Sequence, residues 1–218
     1  MLLHFNNVSF SYDKVTNVLN DISFSLEEGE KVALLGLNGA GKSTLMLHTN
    51  GLLAPTHGEV KVKDFVTSSK KDLQEIRKIV GLVFQNPDDQ LFMPTVWDDV
   101  AFGPYNMNLT SEEIENRVKR ALKVTHTSEL AQKSPFELSG GQKKSVSIAT
   151  VMSMDPRLLV MDEPTAGMDS LASQNYIELM ESLPQALLLS THDIDLARRL
   201  CTRAIVLHKG VIKEDYLF

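Results

Sequence analysis

The sequence predicts an α/β protein built on a largely parallel sheet, with a mainly helical segment inserted into it. Three observations carry this prediction. Short apolar runs recur at Leu158-Leu159-Val160-Met161, Ala186-Leu187-Leu188-Leu189 and Ala204-Ile205-Val206-Leu207. Helix-length stretches fit between them, at about 141–154, 170–183 and 193–200, and such alternation argues for crossover connections in one sheet. Upstream, Val32-Ala33-Leu34-Leu35 is an apolar run that ends in Gly36 and feeds a loop, then a helix from Lys42 to Asn50.

Taken in chain order, residues 2–35 are strand-rich, with turn clusters at Asp13-Lys14 and Glu28-Gly29. The helix from Lys42 stops near Gly51 and Pro55. Ile79-Val80-Gly81-Leu82-Val83-Phe84 is strand-like. The middle, about 86–137, has no strand-like apolar run. There Thr110 and Glu113 have the spacing of a capping box, with Leu109 and Ile114 as its staple. Ile114, Val118, Ala121 and Leu122 then share one helical face. The expected organisation is a single domain, 1–218, with 1–85 and 139–218 forming the core and 86–138 the helical lobe. No C-terminal accessory domain is expected.

Composition narrows the classes. At 218 residues the chain is one large domain, or one domain with an inserted lobe. With 43% hydrophobic and 23% charged residues it is neither disordered nor collagen-like. A net charge of −6 argues against nucleic acid as a partner. Cys201 is the single cysteine, so no internal disulfide forms and a reducing compartment fits. The longest uncharged run, Ser43 to His57, is interrupted by Thr44, His48, Thr49, Asn50 and Pro55, so no membrane span is expected. The N-terminus has no signal-peptide pattern. If the protein works at a membrane, another chain holds it there.

Gly36-Leu37-Asn38-Gly39-Ala40-Gly41-Lys42-Ser43 fits the phosphate-loop pattern G-x-x-x-x-G-K-[ST]. Glycines let consecutive backbone N–H groups curl around an anion, and the following helix directs its positive end at the same place. Lys42 adds a charge on the outer phosphates, and Ser43 offers a hydroxyl to Mg²⁺. The competing reading is a glycine-rich turn before a helix. Farther on, the run from Leu158 ends in Asp162-Glu163. Adjacent acids at the end of a buried strand need cations or solvent. Asp162 suits Mg²⁺, directly or through water. Glu163, pointing the other way, suits the polarisation of a water for attack on a γ-phosphate. Solvated acids in a turn at Pro164 are the alternative.

Leu138-Ser139-Gly140-Gly141-Gln142 precedes a helix-like stretch. By itself it reads either as a second anion-binding turn or as a serine-capped helix start. In order with the phosphate loop, Gln85, Asp162-Glu163, Ala166-Gly167-Met168-Asp169 and His192, it resembles the signature of ABC-type ATPases, over nearly the whole chain. The resemblance implies a P-loop NTPase core with a largely parallel sheet, an N-terminal antiparallel β lobe and an inserted α-helical lobe. It implies ATP hydrolysis with Mg²⁺. ATP would be held by Asn38, Gly39, Ala40, Gly41, Lys42, Ser43 and Thr44, with Tyr12 stacked on adenine. Glu163, His192, Gln85 and Lys42 would be the catalytic groups, and Ser43, Gln85 and Asp162 the Mg²⁺ set. Ser139, Gly140, Gly141, Gln142 and Asp169 would act in trans on ATP held by a second cassette, identical or a related paralogue. For Tyr12 and His192, read alone, simple packing is the alternative. Ser145 departs from the family pattern, since many relatives carry arginine there; Met168 stands where leucine is commoner.

Phe84-Gln85-Asn86-Pro87-Asp88-Asp89-Gln90-Leu91-Phe92, followed by Thr95 to Pro104, resembles the ATPases of energy-coupling-factor (ECF) transporters. This branch implies import of cobalt, nickel or a water-soluble vitamin such as biotin. It also implies an integral-membrane scaffold, a small membrane substrate-binding protein and a place on the cytoplasmic face of the membrane. Leu91, Phe92 and Met93, with Asp88 beside them, would form an apolar and acidic ridge for the scaffold. The alternative is that Leu91 and Phe92 pack the helical lobe. A conventional ABC importer or exporter, or a soluble ABC ATPase without a transport role, are the other readings of the whole chain.

Overall fold

The computed structural model describes residues 1–218 and divides them into two compact units. The first comprises Met1–Leu82, Arg157–Glu163 and Pro184–Phe218; the second comprises Val83–Pro156 and Pro164–Leu183.

The first unit holds two sheets. β1 (Leu3–Phe10), β2 (Leu19–Leu26), β4 (His57–Val62) and β5 (Phe65–Val66) form an antiparallel sheet in the order β2-β1-β4-β5. Its apolar residues alternate inward, and Phe5 stacks on Phe24 with ring centroids 4.7 Å apart. The second sheet has the order β10-β9-β3-β8-β7-β6. Its strands are β3 (Lys31–Leu35), β6 (Val80–Val83), β7 (Leu158–Asp162), β8 (Ala186–Thr191), β9 (Arg203–His208) and β10 (Val211–Leu217). β9, β3, β8 and β7 run parallel, with β10 antiparallel on the edge. All six residues of β8 are buried, as are four of the five in β3 and in β7. That is why these strands read as unbroken apolar runs. α1 (Lys42–Thr49), α2 (Leu73–Ile79) and α7 (Ile194–Leu200) complete the unit.

Register fixes where the motifs meet. Asp162 pairs with Ser190, and Leu35 pairs with both Thr191 and Val206. The phosphate loop after β3, Glu163 after β7 and His192 after β8 therefore leave the sheet at the same edge. Open α/β sheets bind ligands at the carboxyl ends of their strands.

The second unit is helical: α3 (Val96–Tyr105), α4 (Ser111–Val124), α5 (Gly140–Met152) and α6 (Ser170–Ser182). Val100, Ile114, Val118, Leu122, Leu130, Val146 and Ala149 share its core. Thr110 and Glu113 form the capping box, and Leu109 packs on the cluster that contains Ile114. This unit runs further in sequence than 86–138. It takes in α5 and α6, and α5 turns Val146 and Ala149 into the core shared with α3 and α4.

Four elements have no counterpart in the sequence reading: β4, β5, α2 and β10. α2 buries only Ile76, so it shows no apolar period, and it claims Ile79 from the following strand. β10 is an edge strand with no buried residue. It is held by pairing to β9 and by a bidentate ion pair of Arg203 to Asp215, 2.6 Å for each bond. No helix is long and apolar enough to cross a membrane.

Candidate active site

The loop Gly36 to Gly41 is shaped by its glycines. Gly41 caps α1 at φ 103° without any side-chain cap, so the first-turn N–H groups of α1 meet no side chain of their own. A Cβ on Gly36, at φ 155°, would lie 2.4 Å from the Leu207 carbonyl oxygen. Only glycine fits there. Such an arrangement of N–H groups and an uncapped helix start suits phosphate. Lys42 is 7% exposed, and its Nζ donates to the carbonyls of Gly36 (2.6 Å) and Leu37 (3.5 Å). Ser43, next in line, is exposed, while Thr44 is buried. Asn38, Gly39 and Ala40 form the turn between, with the Ala40 N–H bonded to the Leu37 carbonyl.

Glu163 lies at the centre of this group. Its Oε1 is buried without a hydrogen-bond partner and stands 3.6 Å from Lys42 Nζ. Its Oε2 accepts from His192 Nδ1 at 3.0 Å. A carboxylate only accepts, so that nitrogen carries the proton. Glu163 has φ 43°, a left-handed backbone rare for a non-glycine residue. Such strain costs about 1–3 kcal/mol and gathers at working sites. Ser190 holds it: the Glu163 N–H donates to both the carbonyl (3.1 Å) and the hydroxyl (3.2 Å) of Ser190. The Ser190 hydroxyl in turn donates to Asp162 Oδ1. One serine thus fixes both acids. It is the residue that sequence reasoning missed, because a hydroxyl closing an apolar strand carries no motif. Replacing Ser190 by Ala is expected to lower the unfolding free energy by about 1.5–3 kcal/mol, the scale of a hydrogen bond to a charged group, as read by denaturant titration.

Tyr12 is 63% exposed, and its hydroxyl lies 3.2 Å from Thr44 Oγ1. Tyr12, the phosphate loop, Asp162, Glu163 and His192 all belong to the first unit.

Gln85, Ser139–Gln142 and Asp169 belong to the second unit. Gln85 is exposed just after β6. Ser139 caps α5 in a reciprocal box: its hydroxyl accepts from the Gln142 N–H, and Gln142 Oε1 accepts from the Ser139 N–H at 3.0 Å. Asp169 caps α6 through the Ala172 N–H, at 2.9 Å. Ser139, Gly140, Gln142 and Asp169 are all exposed. Gly141 faces Met168 and Ala172. A cavity of about 280 Å³ opens beside them, lined also by Ser145 and Tyr176. Lys144, on the next turn, is buried and donates to the carbonyls of Pro164 and Ala166.

The ridge at 91–93 is a correction. Leu91 is 4% exposed and sits in the core of the helical unit. Phe92 is 61% exposed and meets Phe102 of α3 edge-to-face at 5.2 Å. The turn of Pro87–Asp89 rotates Leu91 inward, and Asp99 holds the backbone N–H groups of Phe92 (3.0 Å) and Met93 (3.1 Å). The exposed apolar pair is therefore Phe92 with Phe102. Asp88 pairs with Lys143 at 2.6 Å. Gln90 spans from the Phe84 N–H to the Ser147 carbonyl and Thr150 hydroxyl of α5. The segment after Gln85 is thus strapped to the helix that follows Ser139. Burial raises the Asp99 carboxyl above its ordinary value, against the two N–H bonds that lower it.

A phosphate loop, a buried carboxylate held by histidine and a serine-anchored acid pair at one sheet edge define a P-loop ATPase cassette. The model of the ABC transporter family matches residues 19–166. The energy-coupling factor transporter ATP-binding protein EcfA of Methanocaldococcus jannaschii is 49% identical over 210 residues, 94% of this chain and 75% of that protein. CbiO1 of Clostridium perfringens, described as part of the ABC transporter complex CbiONQ, superposes with a TM-score of 0.87 at 37% identity, over 98% of this chain and 87% of that one. A dimeric ATP-binding cassette in a post-hydrolysis state with ADP and Pi superposes equally well, TM-score 0.87 at 27% identity, over 99% of this chain and 98% of that one. The chain belongs to the ABC transporter family, as an ATP-binding and ATP-hydrolysing subunit with that family's cassette fold.

Proposed function

We propose that this chain energises an ECF-type importer of a transition-metal ion, cobalt or nickel, or of a water-soluble vitamin such as biotin. The reading rests on one observation above others: an exposed aromatic pair, Phe92 and Phe102, on the segment that resembles ECF ATPases. The similarity to EcfA and CbiO1 supports it. Two cassettes close over two ATP molecules, with Ser139, Gly140, Gly141, Gln142 and Asp169 of one acting on ATP held by the other. The dimeric relative supports that arrangement. An integral-membrane scaffold and a small membrane substrate-binding protein complete the assembly, on the cytoplasmic face of the membrane. No nucleic acid takes part.

ATP seats its phosphates on the backbone from Asn38 to Thr44, with Lys42 leaving the two carbonyls for the outer phosphates. Tyr12 offers its exposed ring to adenine. The Ser43 hydroxyl and Asp162 carboxylate are oxygen donors that suit Mg²⁺. When bound, that ion neutralises charge on the phosphates. Glu163 takes the proton of the attacking water on Oε1, which accepts no hydrogen bond, while His192 holds Oε2.

The test is a pull-down of the Glu163→Gln form from gently solubilised native membranes with Mg-ATP. A helical scaffold with a small integral protein would support the reading, and the small protein would point to the cargo. Recovery of soluble partners alone would overturn it. In the same assay Phe92→Ser with Phe102→Ser is expected to release the scaffold while ATP binding persists. Leu91→Ala, by contrast, is expected to cost about 2–5 kcal/mol of stability as a core residue.

A further inference from the structure

The Tyr12 ring is largely in solvent, and two contacts hold it. Its edge meets Phe10 at 4.8 Å and an interplanar angle of 86°, and its hydroxyl reaches Thr44 Oγ1 at 3.2 Å. Both contacts lead to one side chain. Phe10 meets the ring of His48 at 4.8 Å and 79°. His48 Nδ1 donates to the Thr44 carbonyl at 2.7 Å. His48, Phe10, Tyr12 and Thr44 therefore close a ring of contacts that joins the end of β1 to α1. His48 is fully buried at its centre.

We propose that His48 is a positioning residue for nucleotide-base binding: through Phe10 and Thr44 it fixes the plane in which Tyr12 presents its exposed face to the base. This rests on reading Tyr12 as the adenine platform. The geometry is that of a two-legged support. The carbonyl of Thr44 can only accept, so Nδ1 carries the proton and the ring orientation is set. Burial depresses the imidazole's proton affinity, which keeps the ring neutral and stable against Phe10. An apolar residue at this position would keep no bond to the main chain at Thr44, the residue whose hydroxyl meets Tyr12, and would leave the tilt of Phe10 unset. A ring held in one plane before binding gives up less conformational freedom when the base stacks on it, and so binds it more tightly.

The test compares ATP with inorganic tripolyphosphate, which engages the phosphate loop and lacks a base, by calorimetric titration. Tyr12→Ala is expected to weaken ATP and leave tripolyphosphate unchanged. His48→Phe, which keeps a ring and loses the donor, is expected to weaken ATP by about two- to tenfold, the scale of immobilising one side chain, again with tripolyphosphate unchanged. In the Tyr12→Ala background His48→Phe is expected to add nothing. Phe10→Leu breaks the other leg and is expected to give the same pattern, so the inference does not depend on one variant folding. Equal loss of ATP and tripolyphosphate, or no loss of either in both the His48 and Phe10 variants, would overturn it. If Tyr12→Ala itself leaves ATP binding intact, the platform reading fails first, and the failure is recognisable as such.

Discussion

Glu163→Gln is expected to lower ATP turnover by about 100-fold or more, the scale of a lost general base, while ATP still binds. Glutamine has the same shape, so His192 keeps a partner in the amide oxygen, and the Ser190 bonds to the backbone of residue 163 are untouched. What is lost is the ability to take a proton on Oε1, the oxygen that accepts no hydrogen bond. Binding and turnover should therefore separate. Equilibrium titration should give ATP affinity close to that of the unaltered protein. Steady-state phosphate release should fall, and size-exclusion chromatography in Mg-ATP should show a dimer that persists. Unimpaired phosphate release would remove Glu163 from the role of base.

Lys42→Ala should produce the second large effect, in two places at once. Loss of a charge-assisted contact costs about 1.5–3 kcal/mol, so ATP affinity should fall by roughly ten- to 150-fold. Before any nucleotide binds, the same substitution leaves the Glu163 carboxylate, 9% exposed, without the ammonium 3.6 Å away. An uncompensated buried charge is destabilising. The unliganded variant should thus unfold at lower denaturant concentration. Adding Glu163→Gln to Lys42→Ala removes that charge and should recover most of the lost stability without recovering ATP affinity. If the double variant is no more stable than the single one, the Lys42–Glu163 pair does not carry the effect.

Much of the first unit is legible because burial writes itself into sequence. β3, β7 and β8 are buried along nearly their whole length, and each reads as an apolar run. The capping box at Thr110 and the amphipathic face of α4 were equally readable, because local geometry demands particular residues at fixed spacing. β10 and α2 were not, since they depend on partners distant in sequence rather than on a buried face. The same holds in the site. The phosphate loop is contiguous and has a pattern. Ser190 gains meaning only from its register opposite Asp162. Leu91 and Phe92 were read as one ridge because a sequence does not show that a short turn separates their directions.

The placing of β3 has a consequence for how the protein is made. This strand is flanked in the sheet by β8 and β9, which are synthesised long after it. Until then β3 has neither of its partners in the sheet. The pairing is distant in sequence, so folding of this layer is expected to be slow and to expose unpaired strand edges on the way. Competence to hold nucleotide should therefore arrive abruptly once β8 and β9 have been made. A ribosome-stalled chain that stops before Ala186 would bind none, while the helices from α3 to α6 have already been made.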